Sequence, residues 1–334
     1  SIEISAPRDR GCCRRDSAAM STTQTETIET LHEDLIHDAQ LDYYGKKLAT
    51  CSSDRTIRIY DIQEGTGQRV QVAELKGHEG PVWQVAWAHP QYGALLASCS
   101  YDRKVCVWKE QSPGQWIRVY TYDGHDSSVN SIAWAPSELG LVLACASADT
   151  TVSILTHQAD DTWTASKMTA HQIGCNSVSW APAYEPAAVV SSASASAQLP
   201  TSAQLVTGGC DNLVKVWRHD ATSQSWSLEK TLAEHTDWVR DVAWAPIGST
   251  PASIIASCSQ DQRVIVWSRD ASSSEWAKIA LPKFDAPVWK VSWSLTGGIL
   301  AVSTGDNKVS LWQESLPGDW SQVGSVHDGQ PVQG

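Results

Sequence analysis

At 334 residues the chain is longer than one simple core usually serves, and seventeen tryptophans against one phenylalanine and two methionines point to a single unit copied several times. A net charge of −12 with no basic stripe argues against a phosphate-binding surface, so no direct contact with nucleic acid is expected. No apolar run approaches the roughly 20 residues that cross a bilayer, and the N-terminus has no apolar signal core, so the chain is expected to be soluble and intracellular.

Residues 1–19 precede Met20, a candidate natural start, and residues 1–27 are expected to form a disordered extension. From residue 31 the chain repeats. An aspartate is followed six positions later by a large apolar residue in every copy: Asp54 and Tyr60, Asp102 and Trp108, Asp149 and Leu155, Asp211 and Trp217, Asp261 and Trp267, Asp306 and Trp312. A second interval spans nine positions, from His32 to Leu41, His78 to Trp87, His125 to Trp134, His171 to Trp180, His235 to Trp244 and Phe284 to Trp293. Segments such as "TIRIY", "KVCVW" and "RVIVW" alternate with period two, while "LLASCS" and "ILAVS" are short apolar strands. A fourth strand follows, begun by Trp116, Trp163, Trp226, Trp276 or Trp320 in all copies but the first.

Four strands recurring every 45 to 50 residues or so predict an all-β, six-bladed β-propeller. The blades are expected at about 31–75, 76–122, 123–168, 169–232, 233–281 and 282–328, with a short tail at 329–334. A Ser/Ala-rich stretch at about 183–204 has too few large apolar residues to order and is expected to be a disordered insertion in the fourth blade.

"SCSYDRKVCVW", with His78 some twenty residues upstream, has the composition of a catalytic site. Its recurrence argues otherwise. His78, Ser98, Asp102 and Trp108 in the second blade match His171, Thr207, Asp211 and Trp217 in the fourth and His235, Ser257, Asp261 and Trp267 in the fifth. Weaker copies carry Cys145 and Leu155, or Phe284 and Val302, swaps that a catalytic triad does not tolerate. These sets are expected to be structural latches, with no enzyme activity, metal or cofactor. The nine cysteines lack metal or redox spacing and are expected to be buried thiols. Trp83, Trp238 and Trp289 fall outside the repeat positions, as channel-mouth packing or as exposed top-face anchors.

Both terminal blades carry all four of their own strands, so no strand is shared to close the ring. That leaves an apolar face on each side of a seam, a surface suited to a partner's strands. Ile57 with Ile59 in the first blade and Val309 with Leu311 in the sixth are seam candidates. They occupy equivalent positions, so at most one pair faces the seam.

"HEDLIHDAQLDYYGKKLATCSSDRTIRIYDI", "GHEGPVWQVAWAHPQYGALLASCSYDRKVCVW" and "GGILAVSTGDNKVSLW" resemble the Sec thirteen family over nearly all of residues 28–328. This is the small WD-repeat subunit shared by the COPII outer coat and the Y-shaped nuclear pore subcomplex. The resemblance implies an open propeller completed in trans by a blade from an α-solenoid partner, either a coat subunit of the COPII outer layer or a scaffold nucleoporin. It also implies residence at endoplasmic reticulum exit sites, on COPII vesicles and at nuclear pores, with only peripheral membrane association. A role in an amino-acid signalling complex at the vacuole or lysosome, or as a peptide-reading adaptor, is the alternative.

Overall fold

The computed structural model describes residues 2–5, 25–63, 68–183, 203–220, 222–246, 252–270, 273–327 and 330–331. Six antiparallel sheets of consecutive strands follow one another along the chain, each running from an inner strand at the central channel to an outer strand at the rim. The inner strands are Ile36–Leu41, Val82–Trp87, Val129–Trp134, Cys175–Trp180, Val239–Trp244 and Val288–Trp293. This is the expected six-bladed β-propeller.

The second and third strands of each blade meet in a tight turn with one recurrent conformation. The residue after the repeated aspartate has positive φ in all six blades, at Arg55, Arg103, Thr150, Asn212, Gln262 and Asn307. In the first five blades the aspartate carboxylate caps that turn by accepting the N–H two residues on, as Asp102 does from Lys104 at 2.9 Å.

Two segments differ from the sequence expectation. Within the extension at 1–27, Ile2–Ser5 pairs antiparallel with Thr25–Ile28 because both stretches alternate in strand-forming residues; residues 6–24 lie outside the described set. In the tail, Gln330–Pro331 adds a fifth strand to the sixth blade. The expected insertion falls mostly on residues 184–202, also outside the described set, and Gln204 already opens the second strand of the fourth blade.

Blades join face to face through apolar clusters. Ile57, Ile59 and Leu75 of the first blade pack with Val82, Val85 and Trp108 of the second, and comparable clusters fill the next four joints. Two sets of hydrogen bonds reinforce them. At the channel, Asp38, Gln84, Ser131, Ser177 and Asp241 each accept the backbone N–H of the following blade, from Val85, Ile132, Val178, Val242 and Val291. At the far end of the inner strands, Trp87, Trp134, Trp180 and Trp293 donate their indole N–H back to Gln40, Ala86, Ala133 and Ala243 carbonyls at 2.9–3.1 Å. Trp244 instead bonds Ser253 within its own blade at 3.0 Å.

Each of these inner-strand tryptophans also meets the tryptophan near the start of its blade's outer strand, as Trp87 meets Trp116 with ring centroids 5.8 Å apart. The tryptophan bias in the composition is therefore the sum of repeated joint contacts. Replacing Trp134 with phenylalanine removes the cross-blade donor of the Ala86 carbonyl, which keeps its ladder partner Ala97, and should cost about 1 kcal/mol. Urea unfolding would show this as a lower midpoint at unchanged slope.

Candidate functional site: a seam between the first and sixth blades

In the second blade, His78 Nδ1 donates to Asp102 at 2.9 Å, Ser98 lies 2.8 Å from His78 Nε2, and Trp108 donates to Ser98 Oγ at 2.9 Å. The fourth blade repeats this through His171, Asp211, Thr207 and Trp217, and the fifth through His235, Asp261, Ser257 and Trp267, with every link between 2.8 and 3.0 Å. Burial would lower the His78 pKa, but its bond to Asp102 raises it to about 9, so the neutral arrangement is that of the fourth blade, where it satisfies every group in the chain. The indole N–H donates to the hydroxyl, the hydroxyl to Nε2, and Nδ1–H to the carboxylate.

Burial lowers the His171 pKa in spite of Asp211, which keeps that ring neutral. Burial by itself would raise the Asp102 and Asp211 carboxyls, but the histidine and backbone N–H bonds outweigh it and hold both down at about 2. The third blade shows what an incomplete copy costs: His125 still meets Asp149 at 2.8 Å, yet its Nε2 is buried without a partner because Cys145 replaces the hydroxyl. These groups lock strands together. No cluster of three or more metal-capable side chains occurs among the described residues.

The remaining joint differs from the other five. No buried apolar cluster among the described residues links the sixth blade to the first. What crosses the gap is an ion pair, with the Lys290 ammonium donating to Asp38 Oδ1. Burial would lower the Lys290 pKa, but the Asp38 and Asp241 carboxylates hold it above the ordinary lysine value. Lys290 lies six residues after Phe284, where the other blades place their acceptor, and Leu41 lies nine after His32, where the other blades place tryptophan. Leu41 is 39% exposed and has no side-chain N–H to give back across the gap.

Of the seam candidates, Ile57 and Ile59 are a correction: they are fully buried against the second blade. Strand alternation turns the equivalent Val309 and Leu311 the same way around the ring, toward the seam, where both are half-buried. On the opposite side, Leu48 and Tyr60 of the first blade point into the seam. Ile28 from the segment ahead of the first blade packs on them, and the Tyr60 hydroxyl donates to the Thr30 carbonyl. The leading segment thus covers the outer part of that face much as Leu75 covers the second blade. The sequence reading missed Asp38 and Lys290. Their signal is the position six residues beyond the loop histidine, read across all six copies.

On the top face, Trp83 is a packing residue. It donates to Ser128 Oγ at 2.9 Å and meets His37 edge-on at 4.5 Å. Trp238 and Trp289 are 45% and 49% exposed, with the Arg240 guanidinium lying 5.1 and 4.5 Å from their ring centres.

Six repeats of four antiparallel strands, three of the repeats locked by a complete histidine–aspartate–hydroxyl–indole chain, define a WD-repeat propeller. The family model "WD domain, G-beta repeat" accordingly matches residues 25–61, 69–109, 116–154, 226–268 and 280–313. The unmatched stretch covers most of the fourth blade, which residues 184–202 interrupt. "Protein SEC13 homolog" of Drosophila melanogaster is 53% identical over 89% of this chain and 83% of its own length. "Protein SEC13 homolog" of Homo sapiens is 54% identical over 91% of this chain and 94% of its own. "Protein transport protein SEC13" of Yarrowia lipolytica is 49% identical over 90% and 99%. The chain belongs to the SEC13 family of WD-repeat proteins.

Two outcomes test the latch. Cys145→Ser supplies the hydroxyl that His125 Nε2 lacks and should stabilise the fold by about 1 kcal/mol in urea unfolding. Because Asp102 and Asp211 titrate lower in the fold than as free carboxyls, their contribution is intact above about pH 4. It is lost as pH falls toward 2, so the melting temperature should drop across that window, and Asp102→Asn should flatten the drop.

Proposed function

We propose that the chain is a non-enzymatic scaffold of protein transport, a subunit of the COPII outer cage that takes a blade from an α-solenoid partner into its seam. The same seam would receive a scaffold nucleoporin in the Y-shaped subcomplex of the nuclear pore. The observation that carries this reading is the joint between the first and sixth blades, where an ion pair stands in place of an apolar core. The printed names of the relatives from Yarrowia lipolytica and Emericella nidulans, "Protein transport protein", support the transport half of it.

In this role the propeller is a clamp. Val309 and Leu311 on one side, and on the other the inner part of the first-blade face that Ile28 and the leading segment leave uncovered at Ala39 and Leu41, are the surfaces between which an added blade buries its own two faces. Inserted strands cannot rotate against the ring, so the partner's rod is stiffened where it leaves the propeller. Work of this kind places the chain at endoplasmic reticulum exit sites, on COPII vesicles and at nuclear pores, held at membranes only through its partners.

A second reading, a peptide-recognition adaptor, has one observation in its favour, the exposed pair Trp238 and Trp289 around Arg240. One comparison separates the two. The purified chain mixed with the blade-bearing segment of the coat partner should give a joint gel-filtration peak that Leu311→Asp abolishes at unchanged melting temperature and that alanine at Trp238 and Trp289 leaves intact. Loss of the peak with the tryptophan variant and not with Leu311→Asp would favour the adaptor and overturn the scaffold.

A further inference from the structure

The five closed joints share a first rung, and four of them a second; both stop at the seam. In the first rung, the side chain six residues past the loop histidine accepts an N–H from the next blade. The donors Val85, Ile132, Val178, Val242 and Val291 are all buried. Ala39 is the equivalent donor in the first blade; it is half-buried and finds no side-chain acceptor from the sixth blade among the described residues. In the second rung, the tryptophan nine residues past the histidine donates to the preceding blade's carbonyl one position earlier. The acceptors Gln40, Ala86, Ala133 and Ala243 are half-buried, while their equivalent in the sixth blade, Ser292, is exposed.

The seam therefore differs from the closed joints in three groups. Among the described residues, the Ala39 N–H points out of its ladder without an acceptor, the Ser292 carbonyl has its ladder partner Ala301 but no second donor, and Lys290, paired with Asp38, stands where every other blade has an acceptor. Side chains at this channel position touch between neighbouring blades, as Ser177 and Asp241 do at 2.5 Å. A residue at the same position of an added blade would sit between Lys290 and Ala39. A carboxylate there accepts from both.

We infer that the inner strand of the blade this seam receives carries an aspartate or glutamate followed three residues later by a tryptophan. The acid takes the Ala39 N–H and draws Lys290 away from Asp38, and the indole donates to the Ser292 carbonyl. The chain holds the same spacing in Asp241 and Trp244 of the fifth blade, where the acid bonds across the joint to Val291 while the indole turns to Ser253 of its own blade. This inference rests on blade insertion and adds the chemistry by which the partner's strand is read. Lys290 and Asp38 act as positioning residues that set the register of the entering strand.

The test places a photo-crosslinking p-benzoylphenylalanine at Leu41, and in a second variant at Leu311, in the full chain expressed in the cells that encode it. Sequencing of the peptide captured at Leu41 should show an acid, two further residues and a tryptophan. Replacing that acid with leucine in the captured protein should weaken its binding about tenfold. Lys290→Met should weaken it by a similar factor, and the two together by little more than either alone. A strand captured at Leu41 without that spacing, or with independent effects of the acid and Lys290, would overturn the inference while leaving blade insertion standing. Capture of nothing at both positions would overturn blade insertion and this inference with it.

Discussion

Each blade has two apolar faces, and neither is covered by its own sheet. Everything else in the molecule follows from that constraint. A blade gains a core only where a neighbour lies against it, which is why the buried clusters sit between sheets and why the unit has to repeat. Six blades make five such joints in sequence order. The outer faces of the first and last blades must then meet each other or something else, and here they meet through Lys290 and Asp38.

The polar residues serve the same constraint at a finer scale. Burying a histidine, an aspartate, a hydroxyl and an indole is costly unless every donor and acceptor is matched, and the second, fourth and fifth blades match all of them. Where one member is lost, the structure makes a local substitution. Tyr60 reaches the Thr30 carbonyl in the first blade, and Trp312 turns to Ser310 beside Phe284 in the sixth. Such substitutions are open to a structural latch because any partner that satisfies the group will do.

Much of this was legible in the sequence because repetition multiplies a weak signal. One aspartate six residues before a tryptophan says little; six copies at a fixed offset fix blade number and strand order. The latch sets were readable for the same reason. The orientation of the seam was not, since Ile57 with Ile59 and Val309 with Leu311 are interchangeable by pattern and only the direction of blade stacking separates them. Lys290 and Leu41 were visible as departures from the repeat, but a departure acquires meaning only when the group it fails to meet is known. The strands at Ile2–Ser5 and Gln330–Pro331 lie outside the repeat, where no offset could flag them.

The central claim is that one of the six inter-blade joints is built differently and is open to a partner. Amide hydrogen exchange on the free chain tests it directly by comparing equivalent positions across joints. Ala39 should exchange at least tenfold faster than Val85, which occupies the same place in a closed joint and donates across it to Asp38. Equal protection at the two joints would mean that the first and sixth blades close on each other as tightly as any other pair, and would contradict the account.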